Sequence, residues 1–213
     1  MVKIRYNEDI KYIIVQHTEH VVPVSAEIVN NEHLQIGDFG APYDILIDKY
    51  GNISLTPRWI RSQKSNFLEN SVSPSKIFKY KEHFYSDVQP IFYQNNCLNI
   101  GVIGNFDIER PNSLIFSSLI KIFEEIYYNL GLAFQTSLLY YSEINNTTSP
   151  GVFFYSKCYL ISHMNKAIIP RATLLAGSGI VPPITDNNNY RLLESGGIRL
   201  LESSGRRLLE VNT

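Results

Sequence analysis

The sequence predicts an α/β fold, and three observations predict it. Short, apolar, β-rich runs recur at 12–15, 43–47 and 98–104. One long segment, 113–130, repeats its apolar residues at helical spacing. Strong turn chemistry at 48–52 joins two of the apolar runs as a β-hairpin.

The first run, Tyr12 to Val15, reads as a buried strand. It ends in Gln16-His17-Thr18-Glu19-His20, so polar groups gather at its carboxyl end, where open α/β sheets place their ligands. Tyr43 to Ile47 is the second strand. Asp48-Lys49-Tyr50-Gly51-Asn52 turns the chain, with Gly51 free to take positive φ, and Ile53 to Leu55 returns. Residues 57–96 read as long loops with short elements, because Ser-Pro and Gln-Pro steps interrupt them. Leu98 to Gly104 is a third strand, ending at Asn105-Phe106-Asp107.

Helix 113–130 has Asn112 or Ser113 as N-cap and Gly131 as its stop. Leu114, Ile115, Leu119, Ile122, Phe123, Ile126 and Leu130 form its apolar stripe, which is core. Gln135 to Ile144 and Val152 to Ser162 are β-rich and separated by turn residues, which predicts a second hairpin. Residues 170–189 read as loop and then linker. The last segment repeats an Arg-Leu-Leu-Glu unit with a Ser/Gly turn, in three copies of eight residues, and predicts a short β-repeat tail. The domains expected are 1–182, a linker at 183–189, and the tail at 190–213.

Composition narrows the function. A net charge of −1 carries no basic excess, which argues against nucleic acid as the partner. Cys97 and Cys158 are too few for a disulfide framework and read as two buried thiols. The first nine residues lack the apolar stretch of a signal peptide, and no run reaches the about 20 apolar residues of a membrane helix.

Four segments, in order, carry a resemblance. They are Ile13-Ile-Val-Gln-His-Thr18; Ala41-Pro-Tyr-Asp-Ile-Leu-Ile-Asp-Lys-Tyr-Gly-Asn-Ile53 with Pro57-Arg-Trp59; Asn99-Ile-Gly-Val-Ile-Gly-Asn-Phe-Asp107; and His163 with Thr173-Leu-Leu-Ala-Gly177. Together they resemble the peptidoglycan-recognition and type-2 N-acetylmuramoyl-L-alanine amidase family over residues 10–180. The resemblance implies a mixed, mostly parallel central sheet flanked by helices. It also implies a groove for the peptidoglycan stem peptide and, in active members, one zinc that cuts the amide between N-acetylmuramic acid and L-alanine.

A hydrolytic zinc needs three protein ligands and an open position for water. The resemblance implies His17 and His163 as two ligands, Tyr43 and Thr173 as assisting catalytic groups, and Trp59 and Asn105 as binding residues. A register that aligns Thr18 with the family's His-His-Thr puts Gln16 at the first ligand position instead. Leu175 occupies the third ligand position, where an aliphatic side chain binds no metal. Ala176 and Asn165 replace the family's Pro and Asp, and Asp44 replaces its His after the Tyr. His20, His33 and His83 read as structural or solvated.

The expectation is therefore a peptidoglycan-binding protein without catalysis and without a cofactor, a relative of zinc enzymes with a degenerate site. An active zinc amidase and a structural virion protein are the alternatives. Short Leu-Leu-Glu-Ser-Gly repeats resemble the tails of bacteriophage virion proteins. This implies residence in a virion or in the host cytoplasm during infection, with residues 190–213 docking to other virion proteins. No membrane partner is expected.

Overall fold

The structure is a computed structural model that describes residues 4–36, 40–61, 67–84, 92–93, 95–177, 190–192 and 198–200, with side chains as far as residue 168. It divides into two compact units, 1–166 and 167–213. The boundary that the sequence places at 182 and the linker at 183–189 lie outside the described residues.

The first unit is built on a five-stranded sheet. Its strands are β2 (Tyr12–His17), β3 (Ile45–Ile47), β4 (Ile53–Leu55), β6 (Cys97–Val102) and β7 (Leu138–Tyr140), and their order is β4-β3-β6-β2-β7. Only β3 and β4 run antiparallel, closing the predicted hairpin with Ile45 opposite Leu55. The β2–β6, β3–β6 and β2–β7 pairs are parallel. Because parallel strands are covered on both faces, β3 and β6 are buried throughout, as is β2 after Tyr12, and the antiparallel strand β4 is buried too. Each such Ile or Leu contributes about 1.5–3 kcal/mol by leaving water.

A second, two-stranded sheet pairs β1 (Ile4–Tyr6) with β5 (Glu82–Phe84) in antiparallel register, Arg5 opposite His83. The chain's first strand is thereby fastened to the loop region 57–96.

Helix α1 (Ala26–Gln35) starts at Ser25, whose hydroxyl accepts from the Ile28 amide. Its Ala26 and Val29 pack with Ala41, Tyr43, Leu46 and Ile103. Helix α2 (Ser113–Leu130) follows its predicted limits. The Asn112 side chain accepts from the Leu114 and Ile115 amides, and Gly131 ends the helix at φ 65°. Ile115, Leu119, Ile122, Phe123 and Ile126 are buried, whereas Leu114 is 52% exposed and lies off the stripe.

The expected hairpin of 135–144 and 152–162 does not form. A short helix α3 (Phe134–Ser137) leads into β7, which pairs in parallel with β2. The aromatic run after Val152 packs instead as a cluster: Phe154 lies 5.3 Å from Phe106 and 5.4 Å from Tyr155. Helix α4 (Lys157–Gly177) then takes residues expected as strand and loop.

Cys97 is buried and Cys158 exposed, both as free thiols, so the expectation of two buried thiols holds for the first alone. No helix among the described residues is long and apolar enough to cross a membrane. Within the second unit, β8 (Tyr190–Leu192) and β9 (Ile198–Leu200) pair antiparallel, with Arg191 opposite Arg199, so two successive repeats form the two strands.

Candidate functional site

The carboxyl end of the central strand β2 brings the candidate residues together. Gln16 and His17 are consecutive in a strand and so take opposite faces. The Gln16 side-chain Nε2 donates to Asn99 Oδ1 at 2.9 Å. The His17 amide donates to Ser149 Oγ at 3.0 Å, and its side chain is fully buried.

The His17 ring has its tautomer fixed by the backbone. The Phe106 amide donates to Nδ1 at 3.1 Å. A neutral imidazole that accepts at Nδ1 carries its proton on Nε2. That Nε2 is buried and has no hydrogen-bond partner among the described residues. It points between two carboxylates, with Glu19 Oε1 at 3.9 Å and Asp107 Oδ2 at 4.0 Å. Burial holds the His17 pKa below its ordinary value, while Asp107 and Glu19 pull it back up.

Asp107 is an ionised anchor. Thr148 Oγ1 donates to its Oδ2 at 2.6 Å and the Val152 amide to its Oδ1 at 3.0 Å. The Thr148 bond is the largest cause that lowers its pKa. Glu19 stands differently: its side chain is 72% exposed, and its backbone is left-handed at φ 62°.

Tyr43 is buried on the sheet beside Gly101, where a Cβ would lie 2.5 Å from the tyrosine ring. Its ring meets His33 edge-on at 6.5 Å. Burial pushes its phenol pKa up, and Glu19 and Tyr141 push it further. The charge of Glu19 therefore acts on both His17 and Tyr43. Sequence reasoning missed Tyr141, Glu19 and Asp107. The usable signal is position: Tyr141 directly follows β7, the strand beside β2.

The other predicted residues lie elsewhere. Trp59 is a core residue rather than a groove wall. It is fully buried, donates from Nε1 to the Ile77 carbonyl at 2.8 Å, and stacks on His83 at 3.6 Å. Asn105 shapes the turn that carries Asp107, its Oδ1 accepting from the Asp107 amide at 3.0 Å. Asp44 is buried and ion-paired with Arg5, and its Oδ2 accepts from the Asn99 amide at 2.8 Å. His20 bridges Thr18 and Glu32, each at 2.8 Å.

His163 sits on α4. Its Nδ1–H donates to the Tyr159 carbonyl at 3.0 Å, and its ring packs against Tyr159 at 4.2 Å and Phe116 at 5.0 Å. None of these contacts involves His17. Thr173 and Leu175 fall in the last part of α4, within the second unit, and their side chains lie outside the described residues.

As placed, His17 offers a zinc ion no free nitrogen. The Nδ1 lone pair of His17 is taken by an amide, Nε2 bears the proton, and the Tyr43 phenol is held protonated. Among the described residues, no group of three or more His, Cys, Asp or Glu side chains could hold a metal ion.

No family model matches this sequence, and no curated protein matches it either. Solved structures do match. The amidase LysC from Clostridium intestinale URNW superposes with a TM-score of 0.56 at 19% identity, over 76% of this chain and 90% of the other. The endolysin amidase LysCS from the same organism gives 0.52 at 20% identity, over 76% and 88%. An ectodomain complex of peptidoglycan recognition proteins LCa and LCx, bound to tracheal cytotoxin, gives 0.51 at 17% identity, over 73% and 83%. The chain thus has the fold of N-acetylmuramoyl-L-alanine amidases and peptidoglycan recognition proteins: a mostly parallel sheet flanked by helices.

Proposed function

We propose that this chain binds peptidoglycan at the carboxyl ends of β2, β6 and β7 and does not cut it. The fold likeness supports the wall as ligand, since the neighbours are amidases and recognition proteins, one of them holding tracheal cytotoxin. One observation carries the non-catalytic part: the Phe106 amide occupies the nitrogen of His17 that would have to be free for zinc while Nε2 keeps its proton. Binding needs no metal, only shaped walls and hydrogen-bonding groups. Stem peptide is the ligand that the resemblance names.

Elemental analysis of protein purified without chelator, with His163→Ala as control, tests this. Absence of zinc after reconstitution, with retention on insoluble peptidoglycan, is the expected result. Near-stoichiometric zinc that is lost in His163→Ala would replace the proposal with a zinc-dependent amidase.

We further propose that the chain is a bacteriophage tail or virion component, made in the host cytoplasm, with residues 190–213 as its attachment to other virion proteins. The eight-residue repeat supports this, as does the pairing of two repeats as β8 and β9. Short paired strands with open edges accept further strands. Deleting 187–213 should leave a folded protein that no longer joins its assembly. Unchanged association would sink the docking role. Full assembly combined with no wall binding would favour a purely structural part.

A further inference from the structure

We propose that residues 190–213 join this chain to a second copy of itself, through antiparallel pairing of their Arg-Leu-Leu-Glu units. This rests on the attachment reading of that segment and names its partner.

The unit is its own complement. Antiparallel strands meet in reverse order, and residues directly opposite share a face of the sheet. Arg-Leu-Leu-Glu laid against a copy of itself therefore sets Arg opposite Glu at both ends, with Leu opposite Leu twice between them. Opposite charges and apolar pairs in these positions stabilise a strand pair. In the second unit, Arg199 meets Glu202 of the second copy and Leu200 meets its Leu201. Each contact is returned by its twin, which is the rule of a two-fold interface. The units at 191–194 and 207–210 have the same sequence and the same complementarity.

Pairing within one chain is of another kind. Strands β8 and β9 set Arg191 opposite Arg199 and Leu192 opposite Ile198. Like charges directly opposite weaken a strand pair. Glu194 and Glu202, which would neutralise them, are not among the residues that this register pairs. The sheet has two strands of three residues, so among the described residues each keeps an outer edge with no strand beside it. Two short strands are marginal alone and gain from a third. Continuing the same register by one repeat sets Arg207 opposite Arg199 and adds a second like-charge pair. A strand from a second copy is tied by no loop and slides until Arg meets Glu.

Charge balance selects a copy over an unlike partner. Residues 190–213 hold four Arg and three Glu, alternating along the chain as the units repeat. A uniformly acidic partner satisfies the arginines and repels the glutamates, and a basic one does the reverse. A second copy satisfies both.

Sedimentation of the full-length chain across a range of concentrations tests this, because the charges can be exchanged without altering their number. Wild type should associate. Changing Arg191, Arg199 and Arg207 together to Glu sets Glu against Glu, and changing Glu194, Glu202 and Glu210 together to Arg sets Arg against Arg. Each triple change should weaken association by about tenfold or more. The sixfold exchange, with both sets changed in one chain, has the wild-type net charge and is again its own complement, so it should associate as wild type does. The β8–β9 register pairs like with like in all four chains, so loss of the hairpin alone does not produce this pattern. Association that stays lost in the sixfold exchange overturns self-pairing, as does association unchanged by removal of residues 187–213. A wild type that is monomeric at every concentration overturns it too, and means that the units satisfy one another within one chain or meet a different protein. The attachment reading fails separately, if the chain without 187–213 still joins its assembly.

Discussion

Two buried histidines separate the region that holds the fold from the region that is free to act. His83 has both ring nitrogens engaged, Nδ1 at 2.6 Å from the Trp59 carbonyl and Nε2 at 2.6 Å from Asn7 Oδ1, and its ring is stacked on Trp59. His17 has Nδ1 engaged and Nε2 without a partner among the described residues. Around His83 the polar side chains are paired within the core, although Arg5 Nε, like His17 Nε2, has no hydrogen-bond partner among the described residues. Arg5 pairs with Asp44 and donates to the Cys97 carbonyl, and Trp59 donates to Ile77. Around His17 stand an exposed carboxylate on a left-handed backbone and a buried donor with nothing to bond. A buried polar group left open costs free energy, so it persists where something else completes it. On the proposed reading, the His17 end of the sheet, with its exposed carboxylate, is the working end and the β1–β5 end is scaffold.

The largest effect should come from breaking the scaffold. Asp44→Asn or Arg5→Met strips one partner from a fully buried ion pair, and urea denaturation should record a loss of about 3–5 kcal/mol. Replacing both residues with apolar ones should cost less than either single change. If the single changes are neutral, the β1–β5 end is not the scaffold and the comparison fails.

Acid should expose the next difference. Burial drives the His83 pKa down to about 3 and lowers that of His17 as well. An unfolded histidine titrates near pH ~6.5. Below that pH the unfolded chain takes up protons that the folded rings refuse, so stability is complete above it and falls as pH drops toward 3. Each ring adds a slope of up to about 1.4 kcal/mol per pH unit. Denaturation midpoints of wild type and His83→Gln, compared between pH 7 and 4.5, isolate its share. Parallel curves would mean that His83 is not titrating in this window.

The scaffold was only partly legible in the sequence. Strand β2, the β3–β4 hairpin, strand β6 and helix α2 follow from local patterns: apolar runs, turn residues around Gly51, and an Asn112 cap. Helix α4 was hidden because Pro170 and the glycines after it read as loop. The Val-Phe-Phe-Tyr run at 152–155 has strand propensity but spends its aromatics on Phe106 and Phe116. Propensity yields to tertiary packing there. In the site, His17 and Tyr43 were found from the resemblance. Arg5 meeting Asp44, and an amide from Phe106 choosing the tautomer of His17, depend on contacts distant in sequence, and no local pattern carries them.

Gly101→Ala sharpens the comparison from the site side. The new Cβ would lie 2.5 Å from the Tyr43 ring and 2.9 Å from Leu46 Cδ2, and Tyr43 is the group that can yield. Overpacking of this kind costs about 1–3 kcal/mol. Wall binding should fall more than stability explains, because the Tyr43 ring would be displaced from the sheet face. Undiminished binding at full folding would remove Tyr43 from the site.

The smallest effect is the most discriminating, because its sign differs between fold and function. Glu19 holds φ at 62° without being glycine, and Ser71 does so at 52°. Left-handed backbone strains any side chain that bears a Cβ, so Glu19→Gly and Ser71→Gly should each stabilise the chain by about 0.5–1 kcal/mol. A glycine also gains freedom when unfolded, which offsets part of this. For Ser71, which is remote from His17 in the sheet, stability should be the whole effect. For Glu19, the same gain should come with loss of wall binding and with a His17 pKa lower still, since one of its two carboxylates is gone. A strain retained only because the side chain works is relieved at the expense of that work. If Glu19→Gly binds the wall as wild type does, the left-handed turn is an accident of the loop, and the open valence of His17 must be explained by Asp107 alone.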